Sequence, residues 1–381
     1  MKNLKICFIG TDPTFNGGMS LYQKNLIKYI QRSNSKINIT WIYFGKKNEE
    51  FKKDNVTYIK IKNNFPYPLD QIIDNFRVLK FLRKRDFDII NSHALWGYWM
   101  KFYNPKKNQM LIHTYHGVTY NFFKNHLKRF SFFRQVIISP MLLFSYFIEK
   151  PPMKKSDNII CVSNKVKRQI EDLYGRKDNL VVIRTGVDVK DFRVRNKLDV
   201  RKNLKLELNK IYGLYIGKGG YWTKGLDRAV KLGEEIYKIN NNFRLIVIGA
   251  DYKKVKNIIE KKDFIIFKEN VPREEISLHY SASDIFFCLS RYEGGAPTLV
   301  VSEAMASGCL LVCSKDSEQE IIKDKRNSII IEKFDKNDAE KVLNIQNNIL
   351  LKEKIIKNSM KTIKELSLEK WGKKYLKVIL G

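Results

Sequence analysis

Residues 5–30 read KICFIGTDPTFNGGMSLYQKNLIKYI. The run 5–10 (KICFIG) is short, apolar and ends in glycine, which predicts a buried strand. Leu21, Leu26, Ile27 and Ile30 then recur at helical spacing, which predicts a helix over 19–30. Between them lies 11–18 (TDPTFNGG), a loop with two adjacent glycines. Strand, glycine-bearing loop and helix form the opening of a βαβ unit.

The alternation continues down the chain. Strands are predicted at 37–43, 56–61, 87–91, 110–114, 159–162 and 181–183, with helices at 71–84 and 163–173. After a polar, charge-rich segment at 189–209 a second series begins. Its strands are expected at 214–217, 244–249, 264–267, 285–289, 310–314 and 328–332, and its helices at 224–239, 273–281, 300–307 and 338–349. Short buried strands separated by helices predict a parallel sheet covered on both faces. The expected fold is α/β: two doubly wound, Rossmann-like domains facing each other across a cleft. They would comprise residues 1–190 and 191–364, with a C-terminal helix over 365–381 returning to the N-terminal domain. Ligands of such sheets bind outside the carboxyl ends of the strands.

Composition narrows the function. The 381 residues carry 71 Lys and Arg against 40 Asp and Glu, a net charge of +31, and 44% are hydrophobic. That content supports packed cores and excludes a disordered chain. The charge is uneven, +20 over residues 1–190 and +11 over 191–381. Between Asp88 and Glu149 there is no carboxylate at all, while Lys101, Lys106, Lys107, Lys124, Lys128, Arg129 and Arg134 fall there. Such a surface attracts a polyanion, although part of the excess is a general richness in lysine. The longest uncharged apolar stretch, 136–148, has 13 residues and includes Pro140, short of the ~18–20 that a membrane-spanning helix needs. The N-terminus does not read as an export signal. Cys7, Cys161, Cys288, Cys309 and Cys313 are scattered through apolar runs and read as reduced core thiols of a cytosolic protein.

Four places at predicted strand ends carry the chemistry. Gly17-Gly18 before the first helix allow close backbone approach, and the helix start offers N–H groups to an anion, although taken alone a plain turn is the better reading. Residues 217–225 (GKGGYWTKG) lack the order of a P-loop but put Lys218 and Lys224 in one strand-to-helix turn, where two ammonium groups can neutralise a diphosphate. Residues 292–299 (YEGGAPTL) and 300–308 (VVSEAMASG) place Glu293 before a Gly/Pro turn and Glu303 within an apolar helix. A buried carboxylate needs a partner, either polyol hydroxyls or an intramolecular Lys or Arg. His116 in 114–117 (TYHG), with His93 in 91–93 (NSH), is a candidate polar contact to a ligand, whereas His113 lies inside a strand and reads as structural. Asp86-Phe87-Asp88 precedes its strand and reads as a turn; no metal is expected.

Together these residues resemble the retaining, nucleotide-sugar-dependent family 4 glycosyltransferases of GT-B architecture. The resemblance rests on Gly17-Gly18, Thr114-Tyr115-His116-Gly117, residues 158–163 (NIICVS) and 182–188 (VIRTGVD), Gly217-Lys218 with Lys224-Gly225, and Glu293 with residues 303–308 (EAMASG). It implies that Lys218 and Lys224 grip the donor diphosphate, that Glu303 holds the ribose and that Glu293 faces the donor sugar. By the same resemblance Gly17 and Gly18 admit the diphosphate, His116 contacts the sugar near the reacting carbon, and the Val271 backbone reads the base. Thr298 and Leu299 complete the donor-binding set. No cofactor and no divalent metal are implied, the UDP- or GDP-linked sugar being a substrate. Nine residues, Gly294 to Ser302, separate the two glutamates, a longer turn than the family's usual one. Lys218 stands where the family often has Arg, and Cys309-Leu310 replace a frequent proline.

The implied reaction is transfer of the sugar to an acceptor hydroxyl. Residues 120–148 interleave Phe122, Phe123, Phe130, Phe132, Phe133, Phe144 and Phe147 with Lys124, Lys128, Arg129 and Arg134, a composition suited to a bilayer face as well as to an ordinary packed helix. The expected acceptor is therefore a lipid-linked saccharide or other glycan precursor, met at the inner face of the cell membrane. Two alternatives stand beside this: a non-catalytic basic module for membrane or nucleic acid, against which no RNA- or DNA-binding signature appears, and a GT-B sugar-nucleotide epimerase or phosphorylase.

Overall fold

The computed structural model describes residues 4–15, 17–33, 36–63, 65, 69–128, 130–217 and 221–380. They form two compact units, Met1–Arg184 with Trp371–Gly381, and Thr185–Lys370.

The first unit has strands β1 (Leu4–Ile9), β2 (Ile37–Gly45), β3 (Glu49–Lys53), β4 (Val56–Lys62), β5 (Ile89–His93), β6 (Met110–Tyr115), β7 (Asn158–Cys161) and β8 (Leu180–Val182). They pair in the order β3-β4-β2-β1-β5-β6-β7-β8. All pairs are parallel except β3 with β4. Its helices are α1 (Gly18–Ser33), α2 (Leu69–Arg83), α3 (Thr119–Leu127), α4 (Phe132–Ile138), α5 (Pro140–Lys155) and α6 (Asn164–Tyr174). Strand order reverses between β1 and β5, so the carboxyl ends of these two strands flank the crevice where doubly wound sheets bind ligands. The antiparallel β3 was not expected. Its sequence EEFKK has no apolar run, and it is held at the sheet edge by Phe51 stacked on Tyr58 (5.1 Å) and by Glu50 paired with Arg85.

The second unit has β9 (Ile211–Ile216), β10 (Phe243–Ile248), β11 (Ile265–Lys268), β12 (Ile285–Cys288), β13 (Leu310–Ser314) and β14 (Ile329–Ile331), in the order β11-β10-β9-β12-β13-β14, all parallel. Around them lie α7 (Lys197–Asn203), α8 (Tyr221–Lys224), α9 (Leu226–Ile239), α10 (Tyr252–Ile259), α11 (Arg273–Ala282), α12 (Leu299–Ala306), α13 (Lys336–Asn347) and α14 (Ile349–Lys364). Alternate residues of β10 and β12 enter opposite cores. Leu245, Val247 and Phe287 pack with Leu232 and Val342, while Ile246, Ile248 and Phe286 pack with Met305 and Tyr280. The switch in strand order falls between β9 and β12.

A last helix, α15 (Leu368–Leu380), gives Trp371 and the residues after it to the first unit. Trp371, Tyr375 and Ile379 recur every fourth residue and are buried. Gly372 lies so close to α1 that a Cβ there would meet the Tyr29 ring at 2.1 Å.

One expectation about length is corrected. Charge interrupts the apolar run 136–148 on both sides, yet the helix does not stop there. Residues 132–155 form a nearly continuous 24-residue helix, long and apolar enough by length and composition to cross a membrane. Pro140 sits at the first position of α5, where its missing N–H is not needed, so it does not end the helix path.

Candidate functional site

In the second unit the switch point between β9 and β12 brings together residues 69 apart in sequence. The Lys224 ammonium donates to both carboxylate oxygens of Glu293, at 2.8 and 2.9 Å. The lysine side chain is 45% exposed and the glutamate 8%, so the carboxylate is the more buried partner. Desolvation alone would lower the lysine pKa; the charge and hydrogen bonds of Glu293 outweigh it and hold it above the ordinary value. An ammonium has three N–H groups, and among the described residues only Glu293 takes any, leaving one for an anion.

Three features hold this pair in place. Arg291 makes a bidentate pair with Asp227 (2.9 and 2.6 Å), donates to the Trp222 carbonyl and stacks on the Trp222 ring at 4.3 Å. The segment before Glu293 is thereby fastened to the turn that carries Lys224. Gly225 has φ +73° and lies against the Leu289 carbonyl, where a Cβ would come within 2.0 Å. The helix expected over 224–239 starts two residues later, as α9, and Gly225 separates it from the short α8 that carries Lys224. Gly294 and Gly295 both take positive φ, so Glu293 can stand at the lip of a tight turn. Lys218 lies outside the described residues.

Beyond that turn, Thr298 occupies the N-cap position of α12 without a side-chain cap; its N–H is taken by Gln319 (3.0 Å), and its buried hydroxyl has no partner among the described residues. Leu299 begins the helix. Glu303, 1% exposed, points into the packing between α11 and α12. Both its oxygens accept from Arg273, one at 3.2 Å, and the latter also from the Tyr280 hydroxyl at 3.1 Å. Burial raises its pKa and Arg273 pulls it back down, the balance remaining upward. Of the two kinds of partner open to Glu303 on sequence grounds, the structure supplies the basic side chain. A carboxylate has about four lone-pair sites, so these three bonds leave room for one more donor. Val271 is half-buried between β11 and α11, against the core beneath them.

In the first unit the loop after β1 is tied down by Gln23 of α1, whose Oε1 accepts from the Thr11 N–H and hydroxyl, both at 3.1 Å. Gly18 opens α1, and Gly17 lies against Phe15, a Cβ there meeting the ring at 2.3 Å. His93 closes β5 and His116 follows β6. Register pairing of these strands brings His93 Nδ1 to 3.0 Å from His116 Nε2, with Tyr22 edge-on to the His116 ring at 4.7 Å. Burial pushes His116 down to about 4 and His93 well below its usual range, so both rings are neutral at neutral pH. His93 Nε2 is buried without a partner among the described residues. An orphan acceptor is less costly than an orphan N–H, which favours a proton on His93 Nδ1. That proton bonds His116 Nε2 and leaves His116 Nδ1–H as a donor. His113 is structural, its Nδ1 lying 2.7 Å from the Ser92 hydroxyl.

Asp86 pairs with Lys106 and Asp88 accepts from the Lys5 N–H, so both serve the turn before β5. Among the described residues no three His, Cys, Asp or Glu side chains gather as a metal would require. All five cysteines are buried and free. Arg273, Tyr280 and Arg291 were not singled out in the sequence: no local pattern marks them, and only the packing of α11 and the β12 end reveals their partners.

Two family models match the chain, Glycosyltransferase Family 4 over residues 16–191 and Glycosyl transferases group 1 over residues 196–362. An uncharacterised glycosyltransferase of Methanocaldococcus jannaschii is 26% identical over 93% of this chain and 92% of its own length. Among solved structures, sucrose-phosphate synthase from Thermosynechococcus elongatus superposes with a TM-score of 0.81 at 17% identity, covering 99% of this chain and 98% of that one. Anabaena HepE, solved with UDP and glucose, gives 0.70 at 14% identity, covering 99% of both chains. With two parallel Rossmann-like sheets and both halves matched, the chain belongs to the family 4 type of GT-B glycosyltransferases.

Proposed function

We propose that the protein moves a sugar from a UDP- or GDP-linked donor to an acceptor hydroxyl with retention of configuration, the acceptor being a lipid-linked saccharide or other glycan precursor at a membrane surface. The observation that carries the donor half is the Lys224 ammonium held by Glu293 at the β9/β12 switch point. A structural neighbour solved with UDP and glucose supports the same donor class.

In this reading Lys224, Lys218 and the start of α12 receive the diphosphate, and no divalent metal is required because the ammonium groups supply the positive charge. Glu303 holds the ribose through its remaining lone pair, with Val271, Thr298 and Leu299 around the nucleotide. Glu293 and the His116 Nδ1–H face the donor sugar, and Gly17 and Gly18 leave space for the phosphates. The bond from the anomeric carbon to the diphosphate oxygen breaks, and its electron pair leaves with the diphosphate. The acceptor oxygen bonds the same carbon from the same face, and its proton passes to the departing phosphate oxygen. Lys224 stabilises the charge that builds on that oxygen.

The exposed face of α4 and α5 supports the acceptor half. Phe132, Phe133, Ile137, Leu143 and Phe147 are 81, 77, 64, 62 and 60% exposed, with Arg134 among them on α4 and Lys124 and Lys128 just before it in the chain. Aromatic rings at headgroup level with cations beside them favour a peripheral position on an anionic cytoplasmic leaflet.

The deciding experiment incubates the protein with UDP- and GDP-sugars with and without lipid-linked acceptor. Acceptor-dependent release of UDP or GDP, with an unchanged anomeric configuration by NMR, supports the reading. Failure of every nucleotide to be released or to raise the melting temperature overturns it.

A further inference from the structure

Away from every residue assigned to sugar transfer, a cavity of about 400 Å3 opens in the first unit, lined by Asn48, Ile61, Lys62, Arg77, Lys80, Phe81 and Lys84. Four of these seven are cations and none is an acid. Arg77, Lys80 and Phe81, three or four residues apart on α2, share one helix face, and Lys84 lies in the turn just after the helix; together they face the end of β4 and the turn before β3.

The nearby carboxylates are already engaged. Glu50 is bound to Arg85, Glu49 to Lys47 at 3.2 Å, and the buried Asp74 lies 3.6 Å from Arg77. Among the described residues no carboxylate pairs with Lys62, Lys80 or Lys84.

Other contacts give the cavity form. Arg77 donates to the Lys62 carbonyl, which holds the guanidinium at the end of β4. Asn48 Oδ1 accepts the Lys62 N–H at 2.8 Å, leaving the Asn48 amide N–H groups as donors. Phe81 forms an apolar wall, its ring carrying Arg85 at 4.5 Å.

The geometry points to a second anion site: this groove binds a phosphate-bearing group, a phosphomonoester or diphosphate. The guanidinium can bond two of its oxygens, and the three ammonium groups neutralise it. The apolar wall suits whatever the phosphate is attached to, a soluble phosphorylated compound or a lipid headgroup. The assignment does not depend on the sugar-transfer reading, because none of its residues belongs to that site.

Site-resolved lysine acetylation of the full-length protein, read by peptide mass spectrometry, tests this. With inorganic pyrophosphate at low salt, acetylation of Lys62, Lys80 and Lys84 is expected to slow about threefold at twice the Kd, relative to exposed Lys361. High salt should abolish the effect. In Lys80→Gln/Lys84→Gln, exposed positions on α2 and in the turn after it, Lys62 should lose its protection. Protection by phosphatidylglycerol vesicles but not by phosphatidylcholine or pyrophosphate supports the site with a lipid headgroup as the source. Equal rates with every probe, or Lys62 still protected in the double variant, overturn it.

Discussion

Lys224 has to serve two partners, Glu293 in the free protein and a diphosphate in the proposed complex. With one N–H and nearly half its surface open, it can bind the second without releasing the first. Lys224→Ala should therefore lower the transfer rate by roughly 10²–10³, the usual cost of losing one group that stabilises developing charge. Near-normal turnover of that variant would remove its diphosphate role. The histidine pair makes a finer prediction. An asparagine in place of His93 could still donate from the position of the Nδ1–H, and a leucine could not. His93→Leu should lose up to about tenfold in kcat, one neutral hydrogen bond, while His93→Asn stays close to the parent. Equal losses in two folded variants would show that the 3.0 Å contact does not orient His116.

At the level of elements, α5 is joined to α3 through a single buried carboxylate. Glu149 Oε1 accepts the Thr119 N–H at 2.9 Å, and Oε2 accepts the Tyr174 hydroxyl at 3.0 Å. Burial pushes its pKa up to about 7, against the downward pull of these bonds. The folded state thus binds this proton more tightly than the unfolded chain. Its contribution to stability is full below about 4.5 and is lost as pH rises from there to about 7. Glu149→Gln should remove that slope, so the difference in urea midpoint between parent and variant should shift in the variant's favour across this window. A constant difference would contradict the raised pKa. On the exposed face of α4, just before α5, Phe132→Ser/Phe133→Ser should reduce co-sedimentation with anionic liposomes while leaving the fold unchanged by circular dichroism. Undiminished binding at low salt would exclude this face as the docking surface.

For the whole molecule, the last helix matters out of proportion to its length. Trp371 packs edge-on against Tyr22 at 4.7 Å, and Tyr22 in turn packs against His116. Trp371→Ala empties a fully buried site and should cost about 3–5 kcal/mol in urea unfolding. A loss below about 1 kcal/mol would mean that α15 is dispensable to the first unit.

The two sheets were legible because their strands are buried on both faces: each interior strand is a short apolar run, and such runs are visible without knowing their neighbours. β3 escaped for the converse reason, since an edge strand with exposed charged residues has no apolar signature. Lys224, Glu293, Glu303 and His116 could be named because glycines and strand ends punctuate the chain around them. Their partners could not. Arg273 and Tyr280 reach Glu303 from a different helix, Arg291 reaches Asp227 across 64 residues, and His93 meets His116 through the register of β5 on β6. Periodicity and turn chemistry are local properties of a chain and can be read along it. The pairing of buried charges is settled only when separate strands are laid side by side, because a carboxylate taken out of water accepts whichever donor the packing brings within reach.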